Sequence, residues 1–270
     1  MLLCSLLIIT CFVVGINVQA AADIDIQNNQ NGTITVKYDN SAGDKIKVLV
    51  VKSDSSKKYT YDIPTGQNKI NCALSQGNGT YIVKVCKNSS GKKYSVLHSE
   101  KVVQKLKDPN QVFLGSNQIV NWTTTNNAIT YASQLTRNSK TERKKIEAIY
   151  KYIVENYSYD YNKLKKINNT TGYIPNIDSV YRSKKGICYD IAALNASMLR
   201  SLGIETKLIM GYSTQPGLTG VYHAWNKVYN SDTKQWMILD LTYDMSKYDK
   251  ADYKVMKKSA KYYSNESYVY

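Results

Sequence analysis

Histidine is scarce in this chain: 270 residues hold two, His98 and His223. The second half carries one histidine, His223, and one cysteine, Cys188. That is too few soft ligands for a zinc centre. Acidic residues are also in deficit, 21 against 36 lysines and arginines, for a formal net charge of +15. The basic residues are scattered, with no Arg-rich helix, zinc-finger spacing or RNA-binding signature, so nucleic acid is a poor account of the charge. Two readings stay open: long-range adherence to an anionic cell-surface polymer, or a lysine-rich solvated surface. The longest apolar run, Met1 to Gly15, is short for a membrane span. It weakens into Val18-Gln19-Ala20, a small-x-small pattern, and reads as a secretory signal peptide over residues 1–22. No basic residue precedes the run, so an uncleaved anchor is the alternative. Cysteine numbers five, and Cys4 and Cys11 lie in the leader. The odd remainder, Cys72, Cys86 and Cys188, leaves at least one thiol unpaired in an exported chain. The simplest scheme pairs Cys72 with Cys86, or leaves both reduced, and keeps Cys188 free. Phenylalanine is nearly absent, 2 residues against 24 tyrosines.

Residues 23–106 show period-two patterning. Thr33 to Tyr38, Lys45 to Val51, Gly79 to Val85 and Tyr94 to Leu97 read as strands separated by Asn, Gly, Ser and Asp clusters. The expectation is a small all-β, immunoglobulin-like sandwich. His98 at a strand end reads as a surface or packing residue. Residues 107–124, with Asp108-Pro109, read as a linker, and 125–270 as a second domain. There, Ser139-Lys140-Thr141-Glu142 has the capping-box pattern. The helix it opens carries Ile146, Ile149, Tyr150, Ile153, Val154 and Tyr157 on one face. Residues 157–181 are polar and irregular and read as a surface loop. The Lys- and Tyr-rich segment after Met245 reads as a cover for a sheet edge or as partly disordered.

The centre of the chain is Lys185-Gly186-Ile187-Cys188-Tyr189-Asp190, a glycine-bearing turn running into an apolar helix. A cysteine at a helix N-terminus meets unpaired N–H groups and the helix dipole, which favour the thiolate and could hold an oxyanion beside the sulfur. A buried packing cysteine is the alternative. Gly203 then suits the helix C-cap. Strands are predicted over Thr206 to Tyr212, Val221 to Tyr229 and Gln235 to Leu241, with Asn230 to Thr233 as the turn. If that turn closes a four-residue hairpin loop, Tyr229 faces Lys234, Trp225 faces Ile238 and His223 faces Asp240. A carboxylate there can orient the imidazole towards a nucleophile. Cys188, His223 and Asp240 are therefore candidate catalytic residues.

Four motifs in this order resemble the core of the transglutaminase-like superfamily. They are Lys185 to Asp190, Leu199 to Ile204 with Gly211-Tyr212, Tyr222-His223-Ala224-Trp225-Asn226, and Leu239 to Asp244. The resemblance covers residues 125 to 245. It implies an α+β, papain-like fold and acyl transfer through a Cys188–His223–Asp240 triad; the expected substrate is an amide of a protein, peptide or cell-wall peptide, either hydrolysed or transferred to an amine in transglutaminase-type cross-linking. It also implies a side-chain oxyanion donor upstream of the cysteine, for which Tyr181 is the candidate beside the Cys188 N–H. Calcium serves the large animal enzymes, but no acidic loop with calcium-ligand spacing is present, so no cofactor is expected. A non-catalytic binding module that keeps the fold is the rival reading.

Overall fold

The computed structural model describes residues 24–167, 172–218, 220–245 and 256–270. The leader expected over residues 1–22 lies outside them. The N-terminal part is a two-sheet β-sandwich. One sheet joins β1 (Asp25–Asn28), β2 (Thr33–Lys37) and β5 (Lys69–Ala73) in the order β1-β2-β5. The other has the order β4-β3-β6-β7, from β3 (Ile46–Lys52), β4 (Lys58–Ile63), β6 (Gly79–Ser90) and β7 (Lys93–Gln104). Alternation explains the core: Ile46, Val48 and Val50 of β3 and Tyr81, Val83 and Val85 of β6 point inward. β1, β4 and β5 escaped the sequence reading; they are short and interleaved with lysine, asparagine and tyrosine. Cys72 and Cys86 are both free thiols. Cys72 is buried in the sandwich core, whereas Cys86 lies at a β6–β7 register shift outside it. Of the two alternatives, both thiols stay reduced rather than paired.

The C-terminal part is mixed α and β. Helices α1 (Asn127–Thr136) and α2 (Glu142–Asn156) come first. Thr141 caps α2 by accepting from the Lys144 N–H at 3.2 Å, so the helix begins two residues later than the Ser139 capping box implied. Its apolar face is as expected, with Ile146, Ile149, Tyr150 and Ile153 buried. Residues 157–181 are not a surface loop. They hold β8 (Ser158–Tyr159), α3 (Tyr161–Ile167) and the start of α4 (Ile177–Ser183), and β8 pairs in parallel with β9 (Lys185–Gly186). Elements this short give no periodic signal.

The cysteine helix α5 (Cys188–Ser201) is buried from Asp190 to Arg200. Its alanine face, Ala192, Ala193 and Ala196, shares one core with the sandwich and with Leu208, Ala224 and Tyr270. Its larger side chains, Ile191, Leu194, Met198 and Leu199, pack against α1, α2 and α4. Gly203, at φ 80°, terminates it as expected. The Ile204 N–H bonds Leu199 O at 3.1 Å and the Gly203 N–H bonds Arg200 O at 3.0 Å. Five strands back this helix in the order β13-β12-β11-β10-β14. They are β10 (Thr206–Ser213), β11 (Val221–Asn230), β12 (Gln235–Leu239), β13 (Lys257–Lys258) and β14 (Tyr263–Val269), with α6 (Leu241–Met245) following β12. The tail after residue 255 thus covers the open edge of β10.

The connecting residues are built in rather than free. Val112 and Phe113 pack on Ala73, and the Gln118 N–H bonds Asn71 O at 2.8 Å. Arg200 fastens the join. Its guanidinium is fully buried and donates to Thr206 O at 2.8 Å, Gly115 O at 2.7 Å and Tyr270 O at 2.7 Å. One fork therefore holds the connector, β10 and the end of the chain's last described strand. Replacing it with alanine removes a buried charged donor from all three oxygens, of which Tyr270 O keeps the Leu208 N–H at 2.9 Å, and we expect a loss of roughly 3–5 kcal/mol. Arg200→Lys should not restore the stability, because one ammonium cannot span three fixed directions. Urea unfolding of both variants tests this; a loss below about 1 kcal/mol in Arg200→Ala would count against it.

Candidate active site

Cys188 is the first residue of α5. The turn ahead of it is held by Asp190, whose side chain is wholly buried. Asp190 accepts from the Ile187 N–H at 3.1 Å, from Lys163 Nζ at 2.8 Å and from the Tyr173 hydroxyl. Gly186 has an ordinary negative-φ backbone, so its role is not the turn itself. A Cβ there would lie 2.8 Å from Asp190 Cβ, so glycine is needed for close approach. The left-handed residue of the turn is Lys184, φ 55°.

His223 lies opposite Gly211 on the neighbouring strand β10. Its Nε2 is 2.9 Å and 3.0 Å from the two Asp240 oxygens. The hairpin register differs from the expected one. Asn230 pairs with Gln235 and Tyr229 with Trp236, so the four-residue loop runs from 231 to 234 and Lys234 takes the left-handed turn position, φ 53°. The Asn230 side chain accepts from the Thr233 N–H at 3.1 Å while its backbone stays in the ladder. This slides the pairing by two residues. A slip of two preserves the side-chain face, whereas a slip of one would invert it. His223 and Asp240 therefore still share a face and meet, although they are not directly opposed. Asp240 ends the strand and caps α6, accepting from the Tyr243 N–H at 3.1 Å and Thr242 Oγ1 at 3.2 Å. Tyr263, on β14, donates to its second oxygen at 2.9 Å and accepts from Gln215 Nε2 at 3.1 Å. The buried carboxylate is thus fully hydrogen-bonded.

Burial pulls the His223 pKa down. The hydrogen bond to Asp240, then that to the Cys188 thiol, with the charges of both, outweigh this and raise it to about 10. With Nε2 taken by Asp240, Nδ1 is the nitrogen left for the thiol. The Tyr159 hydroxyl lies beside the Cys188 thiol and backbone N–H; burial first, then the sulfur, push that phenol up.

The sequence model of the transglutaminase-like superfamily matches residues 129–241. This chain carries a transglutaminase-like domain. A candidate cysteine protease from Cytophaga hutchinsonii is similar in structure at 14% identity and a TM-score of 0.41, with 78% of this chain and 74% of that one covered. Red sea bream transglutaminase is similar at 14% identity and a TM-score of 0.32, with 78% of this chain covered. The aligned part is about half, 48%, of the sea bream protein. An fn3 domain of human collagen alpha-1(XX) is similar at 16% identity and a TM-score of 0.27, covering 33% of this chain and 82% of that domain. No curated protein matches the chain.

The structure brings Cys188, His223 and Asp240 to one place, and Tyr181 lies away from them. It packs beside Tyr131, with Lys184 Nζ 3.9 Å above its ring, in a group that includes Tyr152 and Tyr157. Tyr159 is the tyrosine that lies beside the Cys188 thiol. A two-residue strand carries that tyrosine, and no sequence pattern marks it. Tyr263 lies beyond residue 241, outside the family match altogether. His98 is half-exposed on β7, 3.6 Å from Glu100.

Two expectations follow from the raised His223 pKa. Asp240→Asn removes the charge that holds the imidazolium, and the His223 pKa should fall by about two units or more. With two histidines in the chain, an NMR titration reads this directly. The stability that the imidazolium contributes is complete below pH 6.5, the unfolded value, and is lost as pH rises through about 10. Urea midpoints at pH 6 and pH 10 should diverge more in the wild type than in His223→Gln. Equal divergence would show that His223 is neutral in the folded protein.

Proposed function

We propose that this protein is an exported cysteine-dependent acyl-transfer enzyme acting on amide bonds of peptides or proteins. The observation that carries the reading is the Cys188 thiol at the first turn of α5, beside an imidazole whose Nε2 is fixed by a buried carboxylate. In the resting pair the thiol proton passes to His223 Nδ1, giving thiolate and imidazolium. The sulfur adds to the amide carbonyl carbon and the carbonyl electrons move to oxygen. The Cys188 N–H and the Tyr159 hydroxyl are two donors beside the sulfur that can hold this oxyanion. When the oxyanion collapses, the C–N bond breaks and His223 protonates the departing amine. A thioester to Cys188 remains. Water or a second amine, deprotonated by His223, attacks the thioester and restores the thiol. Asp240 keeps the ring in place and stabilises its charge, without taking the proton. The apolar run at the chain's start supports the export part of the proposal.

Iodoacetamide alkylation of Cys188 against pH, read by mass spectrometry, tests the core claim. Rapid labelling well below pH 8 is expected in the wild type and should be lost in His223→Ala. An inert Cys188, or ordinary thiol titration near pH 8.5 in both proteins, would favour a binding module that has kept the fold. If Tyr159 supplies an oxyanion donor, Tyr159→Phe should reduce kcat by about 10²-fold with little change in KM. A change confined to KM would remove Tyr159 from that role.

A further inference from the structure

The described residues expose seven large hydrophobic side chains, and four are in the C-terminal part: Tyr161 at 66%, Tyr212 at 41%, Val221 at 44% and Tyr222 at 43%. They form two groups, Tyr161 beside Tyr159 and the other three where β10 and β11 pair next to His223. Tyr161 follows Tyr159 by two residues, and their rings lie 4.9 Å apart. Val221 and Tyr222 immediately precede His223. Tyr212 is the cross-strand partner of Tyr222, with ring centroids 5.4 Å apart. Both residues that touch the Cys188 thiol, Tyr159 and His223, are thus flanked by exposed apolar surface.

Helix geometry places the Tyr212–Tyr222 pair more closely. Cys188 meets His223, and Asn226 Nδ2 meets Ala192 O at 3.0 Å, so α5 and β11 run in the same direction. Tyr222, Ala224 and Asn226 share the strand face on which α5 lies. Four residues back from Asn226 cover about 13 Å of strand, while four back from Ala192 cover about 6 Å of helix. Tyr222 therefore projects past the helix N-terminus, on the Cys188 side. Exposed apolar surface costs solvation and, concentrated at one spot, marks a recognition surface.

We propose that Tyr161, Tyr212 and Tyr222 line the acyl-donor subsite, and that it takes a peptide with aromatic or large aliphatic side chains beside the reacting residue. This names the substrate class of the acyl-transfer reading and rests on it. A peptide fits better than a glycan strand. The ring pairs are inclined at 54° and 67°, so neither offers a coplanar platform for a sugar, and Val221 offers no hydrogen bond. Inclined rings instead form the walls of a side-chain slot. A cationic peptide is disfavoured by the net charge of +15.

The test measures binding, separately from turnover. The full chain carrying Cys188→Ser is titrated by calorimetry with Ac-Gly-Phe-Gln-Phe-Gly-NH2, with Ac-Gly-Gly-Gln-Gly-Gly-NH2 and with an N-acetylglucosamine tetramer. The phenylalanine peptide should bind at least about tenfold more tightly than the glycine peptide. That preference should collapse to about threefold or less when Tyr222→Ala or Tyr212→Ala is added. Tyr161→Ala, on a separate helix, should also weaken it and does not depend on the sheet surviving mutation. Equal affinities, no binding of either peptide, a preference untouched by all three variants, or tetramer binding that needs Tyr222 would each overturn the proposal. Wild-type turnover of the same peptides is read in parallel. A peptide that binds with the stated preference but is never turned over counts against the acyl-transfer reading and leaves the subsite standing.

Discussion

A single buried guanidinium sets the geometry on which the rest depends. Arg200 stands near the end of the cysteine helix, where burial pulls its pKa down to about 9, and it still carries its charge at neutral pH. Three backbone oxygens share the charge. Those carbonyls belong to the connector, the strand beside the histidine strand, and the end of β14. Carbonyl dipoles aimed at a planar fork are directional, so the three segments cannot slide independently. The helix that positions Cys188 and the sheet that positions His223 are locked together through one residue, about 12 positions beyond the sulfur along the helix.

The tyrosines complete that lock. Tyr59 and Tyr61 of the sandwich meet Tyr268 and Tyr270 edge to face, at centroid distances of 5.6 to 6.2 Å. The Val269 N–H also bonds the Tyr59 hydroxyl at 3.2 Å. Phenylalanine could supply the apolar faces but not the hydroxyls that satisfy edges and chain ends in a dry interface. A second group, Tyr152, Tyr157 and Tyr181, backed by Tyr131, encloses Lys184, the left-handed residue that launches the cysteine turn. The abundance of tyrosine over phenylalanine thus has a structural use at both joints that flank the site.

Much of the site was readable because the relevant signals are local. A glycine-bearing turn before an apolar run announces a helix start, and Cys188 is its first residue. Strand alternation carried His223 to the correct face, and parity kept it facing Asp240 even though the hairpin closed one residue later than expected. What failed depended on chemistry at single backbone positions. Lys234 in a left-handed conformation moved the loop, and steric demand at Asp190, rather than φ, explains Gly186. Cys72 and Cys86 look like a pair when counted, yet one faces the sandwich core and the other lies outside it.

The sequence by itself determined the α+β class, the sandwich ahead of it, the cysteine helix with its glycine cap, and the three polar residues that meet. Each follows from periodicity, capping or motif order within a short stretch, where neighbours along the chain are neighbours in space. Only the tertiary structure decided that Tyr159, not Tyr181, reaches the thiol, that Tyr263 donates to Asp240, and that the sandwich shares its core with the cysteine helix. These contacts join residues separated by 23 positions or more, and burial is a property of the packed layers. No local pattern encodes which distant tyrosine will be pressed against a given sulfur or carboxylate; that is fixed when the two cores close on opposite faces of one helix.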